Sequence, residues 1–221
     1  MSGFRKVKTA EEIDSGNSLH YLKDDEAITI KSAAGSKAIT RKMSDDLVVE
    51  YDKFTATFGE IPELSGIVGK KYENDGIWGE FNDNSGILSL FGIGGEEGLA
   101  NMTYVAKRMH KEGKWSTASQ YHVYRHELAH AWQLHLKTTD PLYLQKVAKI
   151  ENVRKSLFDS LTNLSDSDRI IKEKQLLSEQ GLNPRYDLDE FVSECVAEYA
   201  NGKPRGLSKL IVETLLSREI M

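Results

Sequence analysis

The chain has 221 residues, of which 39% are hydrophobic and 29% charged; that is enough apolar matter for a buried core and argues against wholesale disorder. Net charge is −5 and the basic residues are scattered rather than clustered, so the electrostatic footprint of a nucleic-acid binder is missing. The single cysteine, Cys195, excludes an internal disulfide. The N-terminus shows neither the apolar stretch nor the small-residue cleavage site of a signal peptide. The longest apolar run, residues 86–95, is short and broken by glycine, so no membrane span is expected. A cytoplasmic or virion-associated protein is expected rather than a secreted one.

In chain order, the first 25 or so residues are polar and weakly patterned, and a short strand is expected over residues 27–31. Residues 44–58 read as a helix: Ser44 can cap it, Leu47, Val48, Tyr51, Phe54 and Phe58 recur at helical spacing, and Gly59 ends it. Two β-prone segments, 76–81 and 86–92, flank the Asx-rich turn 82–85 and predict an antiparallel hairpin over about 77–91. The glycines of 92–95 lack the Lys-Ser/Thr of a phosphate loop and read as a loop beside the sheet, followed by a short helix or strand over 99–112. A helix is expected from Ser116 or Ser119 to about Lys137, where Asp140 and Pro141 break it. Residues 141–180 are highly charged and heptad-like, one long helix or two packed ones with a break near 165–168. Asp187 or Asp189 caps a helix reaching Ala200, with Asn201 and Gly202 as its stop, and a last amphipathic helix covers about 207–218. This order predicts an α+β fold, mostly helical with a small sheet.

The chemistry concentrates in the helix that contains His126, Glu127 and His130, an H-E-x-x-H pattern. Residues four apart lie on one helix face, separated by roughly 6 Å along the axis, so both imidazoles can converge on one Zn²⁺. Glu127 can reach a water on that metal without ligating it and accept its proton as general base. Leu128 and Ala129 are apolar helix formers, and no proline interrupts the segment. His122 extends the stripe, but it and His130 are about 12 Å apart along the axis, too far for one ion, so His122 reads as a neighbour or a surface residue.

A catalytic zinc needs a third protein ligand. A metzincin would have glycine and histidine where Gln133 and Leu136 stand, which excludes that class and leaves a glutamate on a downstream helix. Glu190, Glu194 and Glu198 share one face of the 187–200 segment, whose other positions Phe191, Val192, Cys195 and Val196 are apolar. Buried carboxylates need partners, and a metal with its histidines would supply them. Two registers fit: Glu190 as ligand with Glu194 behind it, or Glu194 with Glu198 behind it.

An H-E-x-x-H helix followed by a helix reading E-F-V-S-E resembles the gluzincin branch of the zincin metallopeptidases, and within it the lethal-factor-like group and related domains of phage and mobile-element proteins. The resemblance covers about residues 119–138 and 187–204. It implies a zincin-like domain over 41–221, carrying a helical insertion at about 141–182, behind a partly ordered N-terminal extension, 1–40. It implies Zn²⁺ as cofactor, His126, His130 and Glu190 as ligands, and Glu194 as the carboxylate that orients a ligating histidine. Tyr186 is implied as the oxyanion donor, at a spacing from Glu190 closer than is usual for the group; Tyr199 and His110 are poorer candidates. The hairpin would lie beside the H-E-x-x-H helix and pair with an extended substrate.

The expected activity is hydrolysis of peptide bonds in a peptide or protein substrate, with neither nucleic acid nor membrane as partner. Two other readings are a non-catalytic metal-binding domain with a structural or scaffolding role in a phage or mobile-element protein, and a helical interaction module centred on 141–180.

Overall fold

The computed structural model describes residues 5–7, 18–23, 26–72, 77–165, 167–168 and 187–219. Within these, six strands and six helices of two turns or more follow one another as β1 (Arg5–Val7), β2 (Ser18–Lys23), β3 (Glu26–Ser32), α1 (Arg41–Phe58), β4 (Gly66–Lys70), β5 (Gly79–Asn82), β6 (Ile87–Phe91), α2 (Gly98–Lys111), α3 (His122–Thr139), α4 (Tyr143–Asp159), α5 (Leu188–Ala200) and α6 (Gly206–Leu216). The fold is α+β. The chain divides into two compact units, Met1–Tyr104 and Val105–Met221.

The first unit is built on a mixed sheet of order β1-β2-β3-β4-β6-β5. β1, β2 and β3 form an antiparallel meander, β4 is parallel to both β3 and β6, and β5 returns antiparallel to β6. Residues 66–69 of β4 are buried without alternation, as a strand flanked by parallel neighbours requires. β3, which falls within the expected N-terminal extension, pairs Thr29 with Gly66 and Ile30 with Ile67; residues 18–23 and 26–32 therefore belong to the sheet. The core of this unit contains Ile28, Ile30, Ile67, Leu88 and Leu90 from the strands and Leu47, Val48, Tyr51 and Phe54 from α1.

Helix α1 begins three residues earlier than its apolar spacing implies. Thr40, not Ser44, is the cap: its Oγ1 accepts from the Met43 N–H at 3.2 Å, while the buried Ser44 hydroxyl donates to the Thr40 carbonyl at 3.2 Å. The hairpin forms as expected, with Phe81 opposite Leu88 and Glu80 opposite Ser89. In its turn the Asn82 Oδ1 accepts from the Ser85 N–H at 3.0 Å. Gly86 has φ 66°, and a Cβ there would lie 2.1 Å from the Glu63 carbonyl oxygen, so both backbone conformation and space demand glycine.

In the second unit α3 and α5 pack along each other, with α6 against α5 and α4 against α6. Tyr124, Leu128, Trp132, Phe191, Val192, Cys195, Val196, Ile211, Val212 and Leu215 are buried. Small residues, Ala129, Ala131, Ser193 and Ala197, lie fully or almost fully buried among them, which lets helices approach closely. The buried Lys146 of α4 donates to Asp140 Oδ2 at 2.6 Å and to the Leu215 carbonyl at 2.9 Å, pinning the start of α4 to the end of α6. Helix α3 starts at His122, not at Ser116 or Ser119, because those serines bond elsewhere: Ser116 donates to Glu194, and Ser119 Oγ accepts from the Tyr121 N–H and from Arg125. Asp187 caps α5 as expected, its Oδ1 accepting from the Asp189 N–H at 2.7 Å. Of the expected 141–182 insertion, α4 is observed and most of the remainder lies outside the described residues. No helix among those described is long and apolar enough to cross a membrane.

Candidate metal centre

Helix α3 is buried on most of its circumference, so its polar residues that face α5 are held in fixed positions. Gln133 anchors the pair of helices: its Nε2 donates to the Ser193 hydroxyl at 2.9 Å and to the Asp189 carbonyl at 3.2 Å. Asp189 immediately precedes Glu190. One and two turns before Gln133 on α3, His130 and His126 face the same helix.

His126 Nε2 lies 3.2 Å from His130 Nε2 and 3.1 Å from Glu190 Oε2, and His130 Nε2 lies 3.5 Å from Glu190 Oε1. A tetrahedral zinc with bonds of about 2.0–2.1 Å separates its ligand atoms by ~3.3–3.4 Å. The two histidine nitrogens and the nearer carboxylate oxygen of each contact lie 3.1–3.5 Å apart, close to that edge length, and one ligand atom from each residue can be chosen so that all three lie within 4.8 Å of one another. Two nitrogens and a carboxylate oxygen are also the donor set that suits zinc. Side-chain exposures of 12% for His126, 23% for His130 and 31% for Glu190 leave the cluster partly accessible to solvent.

The electrostatics follow from this proximity. Burial alone would push the His126 proton off, but the contacts with Glu190 and Glu194, and the charge of Glu127, outweigh it and raise the His126 pKa well above the usual value. Hydrogen bonding to His126 and His130 holds the Glu190 carboxyl far below the usual carboxylate range. Burial works against ionisation of Glu194, yet His122 and His126 together drive its pKa down. Without metal, the cluster is thus a proton-holding histidine between two carboxylates.

The three glutamates of α5 have separate surroundings. Glu190 joins the histidine triangle. Glu194, buried, receives the Ser116 N–H at Oε2 (3.1 Å), while its Oε1 lies 3.2 Å from His122 Nε2 and 3.4 Å from His126 Nδ1. The His126 Nδ1 is buried and not aligned for a hydrogen bond, so its attraction to Glu194 is that of charge. Glu198 turns away to Arg205 and Ser208: Arg205 Nε donates at 2.6 Å, the Arg205 backbone N–H at 3.0 Å, and the Ser208 hydroxyl at 2.5 Å. Of the two registers, the geometry matches Glu190 at the triangle with Glu194 behind His126. A second grouping, His122, His126 and Glu194, also brings ligand atoms within 4.8 Å of one another. There, however, the nitrogens of both rings converge on the single Oε1, His122 bonded to it and His126 drawn to it by charge.

Glu127 is buried and close enough for its charge to act on His126. Tyr186 lies outside the described residues. Among the poorer oxyanion candidates, the His110 ring bonds the Trp115 carbonyl at 3.0 Å, and Tyr199 sits at the C-terminal end of α5. Of the two readings of His122, it is the neighbour and not the surface residue: 1% exposed, stacked on Trp115 at 4.9 Å and bonded at both nitrogens. Its i, i+4 relation to His126 carried that signal. Ser116 and Gln133 gave none, because their partners lie tens of residues away. The hairpin belongs to the first unit and the H-E-x-x-H helix to the second.

No family model, curated protein or solved structure matches the chain. Its function is therefore argued from the arrangement of its own residues.

Proposed function

We propose that this chain is a zinc-dependent metallopeptidase of the zincin-like, gluzincin type, acting on a peptide or protein substrate. The observation that carries the reading is the convergence of His126 Nε2 and His130 Nε2, 3.2 Å apart, on the Glu190 carboxylate, whose Oε2 lies 3.1 Å from the first and Oε1 3.5 Å from the second, built on a helix that also places a carboxylate next to the first histidine. In that assignment His126, His130 and Glu190 hold the ion. When bound, zinc supplies Lewis-acid polarisation of a carbonyl and a water of lowered pKa. Glu127 takes the proton from the attacking water and delivers it to the departing amine, the work of a general base that becomes a general acid. Glu194 orients the His126 ring through its Nδ1 side.

The test is elemental analysis of the purified protein followed by a peptide-cleavage screen of wild type and Glu127→Gln. About one zinc per chain, with cleavage lost in Glu127→Gln while zinc is kept, supports the peptidase. Zinc without cleavage of any peptide, unaltered by Glu127→Gln, returns the reading to a metal-binding structural domain. No zinc after reconstitution overturns both.

A further inference from the structure

Behind the metal-ligand triangle a buried chain of contacts runs away from α5 into the turn that precedes α3. Thr117 Oγ1 accepts from the Ser119 N–H at 3.3 Å, leaving its hydroxyl hydrogen for His122 Nδ1 at 3.2 Å. A carboxylate only accepts, so the single ring hydrogen of the neutral imidazole is on Nε2, which donates to Glu194 Oε1 at 3.2 Å while Nδ1 accepts. The same Oε1 lies 3.4 Å from His126 Nδ1. The opposite ring nitrogen of His126 is the one that meets His130 and Glu190. Trp115 covers the His122 ring face at 4.9 Å and 23°.

We infer that His122 is a positioning residue for the metal centre, acting through Glu194 on His126, with Thr117 fixing the tautomer that makes it a donor to that carboxylate. The inference rests on the metal-centre reading above. A buried carboxylate with one backbone donor has rotational freedom about its last torsion. The His122 N–H removes it and thereby sets where Oε1 stands relative to the His126 ring. The rotation of that ring decides whether Nε2 points at the other two ligands. A histidine serving only to satisfy Glu194 would leave metal affinity untouched whenever the fold survives. One that sets the His126 ring does not, because partners behind a ligating histidine contribute about 10–100-fold in metal affinity.

The experiment is zinc affinity by competition with a chromophoric chelator, alongside the ligand-field spectrum of the cobalt-loaded protein. It uses full-length wild type, His122→Phe, His122→Gln and Thr117→Val, with melting of the metal-free forms as the control for folding. His122→Phe keeps a ring against Trp115 but no donor, and is expected to bind zinc about 10–100-fold more weakly with shifted cobalt bands. His122→Gln restores a donor near the Nε2 position and most of the affinity. Thr117→Val leaves His122 in place without its tautomer partner and falls between the two. A folded His122→Phe with wild-type affinity and unshifted bands overturns the inference alone. Should that variant not fold, Thr117→Val decides by the same criterion: weakened binding supports the inference and wild-type binding overturns it. Wild-type protein that takes up no zinc overturns the metal-centre reading and this inference with it.

Discussion

Arg205 closes on Glu198 from two directions, its Nε at 2.6 Å and its backbone N–H at 3.0 Å from the same Oε1. Arg205 is also the residue preceding the first turn of α6, and the Ser208 hydroxyl in that turn takes the other carboxylate oxygen. The third glutamate of the α5 stripe therefore ties α5 to the start of α6. Glu190 and Glu198, which are indistinguishable by helical spacing, separate into one that meets the histidines and one that ties two helices together.

Substitution should tell them apart. Glu190→Ala is expected to lose bound zinc, as are His126→Ala and His130→Ala. Glu198→Ala is expected to retain zinc while losing about 1–3 kcal/mol of stability, since it leaves the Ser208 hydroxyl and part of the Arg205 guanidinium unpartnered. Elemental analysis and denaturant melts on the same preparations separate the two outcomes; zinc retained in Glu190→Ala would move the third ligand to Glu194.

Glu127→Gln preserves size and shape and removes the proton acceptor. Peptide cleavage should fall by about 10²–10⁴-fold with zinc content unchanged. Single-turnover rates at saturating enzyme give the comparison, and a fall of less than threefold would remove Glu127 from the chemistry.

Zinc uptake should be pH-dependent with a defined sign. The His126 pKa is raised in the metal-free protein, so near neutrality the ion must displace a proton, and affinity should climb with pH until the His126 proton is already gone. Calorimetric titrations in two buffers of different ionisation enthalpy will show the released proton as a difference in apparent heat. For the metal-free fold, the raised His126 contributes stability that is complete below its unfolded value of ~6.5 and is lost as pH rises through the folded value. The depressed carboxyls of Glu190 and Glu194 contribute above ~4.3 and lose that contribution as pH falls. The cluster should therefore favour the metal-free protein most between roughly pH 4.3 and 6.5, and zinc should flatten the decline above that window. Equal melting temperatures with and without zinc at pH 8 would contradict this.

Gln133 bridges α3 to the first turns of α5 through Asp189 and Ser193. Gln133→Leu keeps the volume and removes the donors, at an expected cost of about 1–2 kcal/mol, or a melting temperature lower by roughly 2–8 °C. Because Asp189 adjoins Glu190, zinc affinity should drop as well. An unchanged affinity in a destabilised protein would confine Gln133 to packing.

Several features of this protein were legible in one dimension because their causes are local. The α1 apolar spacing, the Asx turn between β5 and β6, the Asp187 cap and the i, i+4 pairing of His126 with His130 depend on residues within a turn or two of each other, and periodicity alone carries them. The Thr40 cap escaped because the apolar stripe begins after the helix does, and Ser44 is an equally good cap in isolation. Tertiary structure decided the rest. Whether Glu190, Glu194 or Glu198 meets the histidines depends on how α5 slides along α3, which Gln133, Ser116 and Arg205 set from distant points in the chain. His122 read equally as a neighbour or a surface residue, and tertiary structure chose the first, because burial at that position is imposed by Trp115, Thr117 and Glu194. The polar N-terminal residues form β1 and β2 against β3, since strand pairing satisfies the backbone of a segment whose side chains show little pattern. The residue types that could hold a metal were therefore readable from the chain, while their convergence on one point was a property of helix packing.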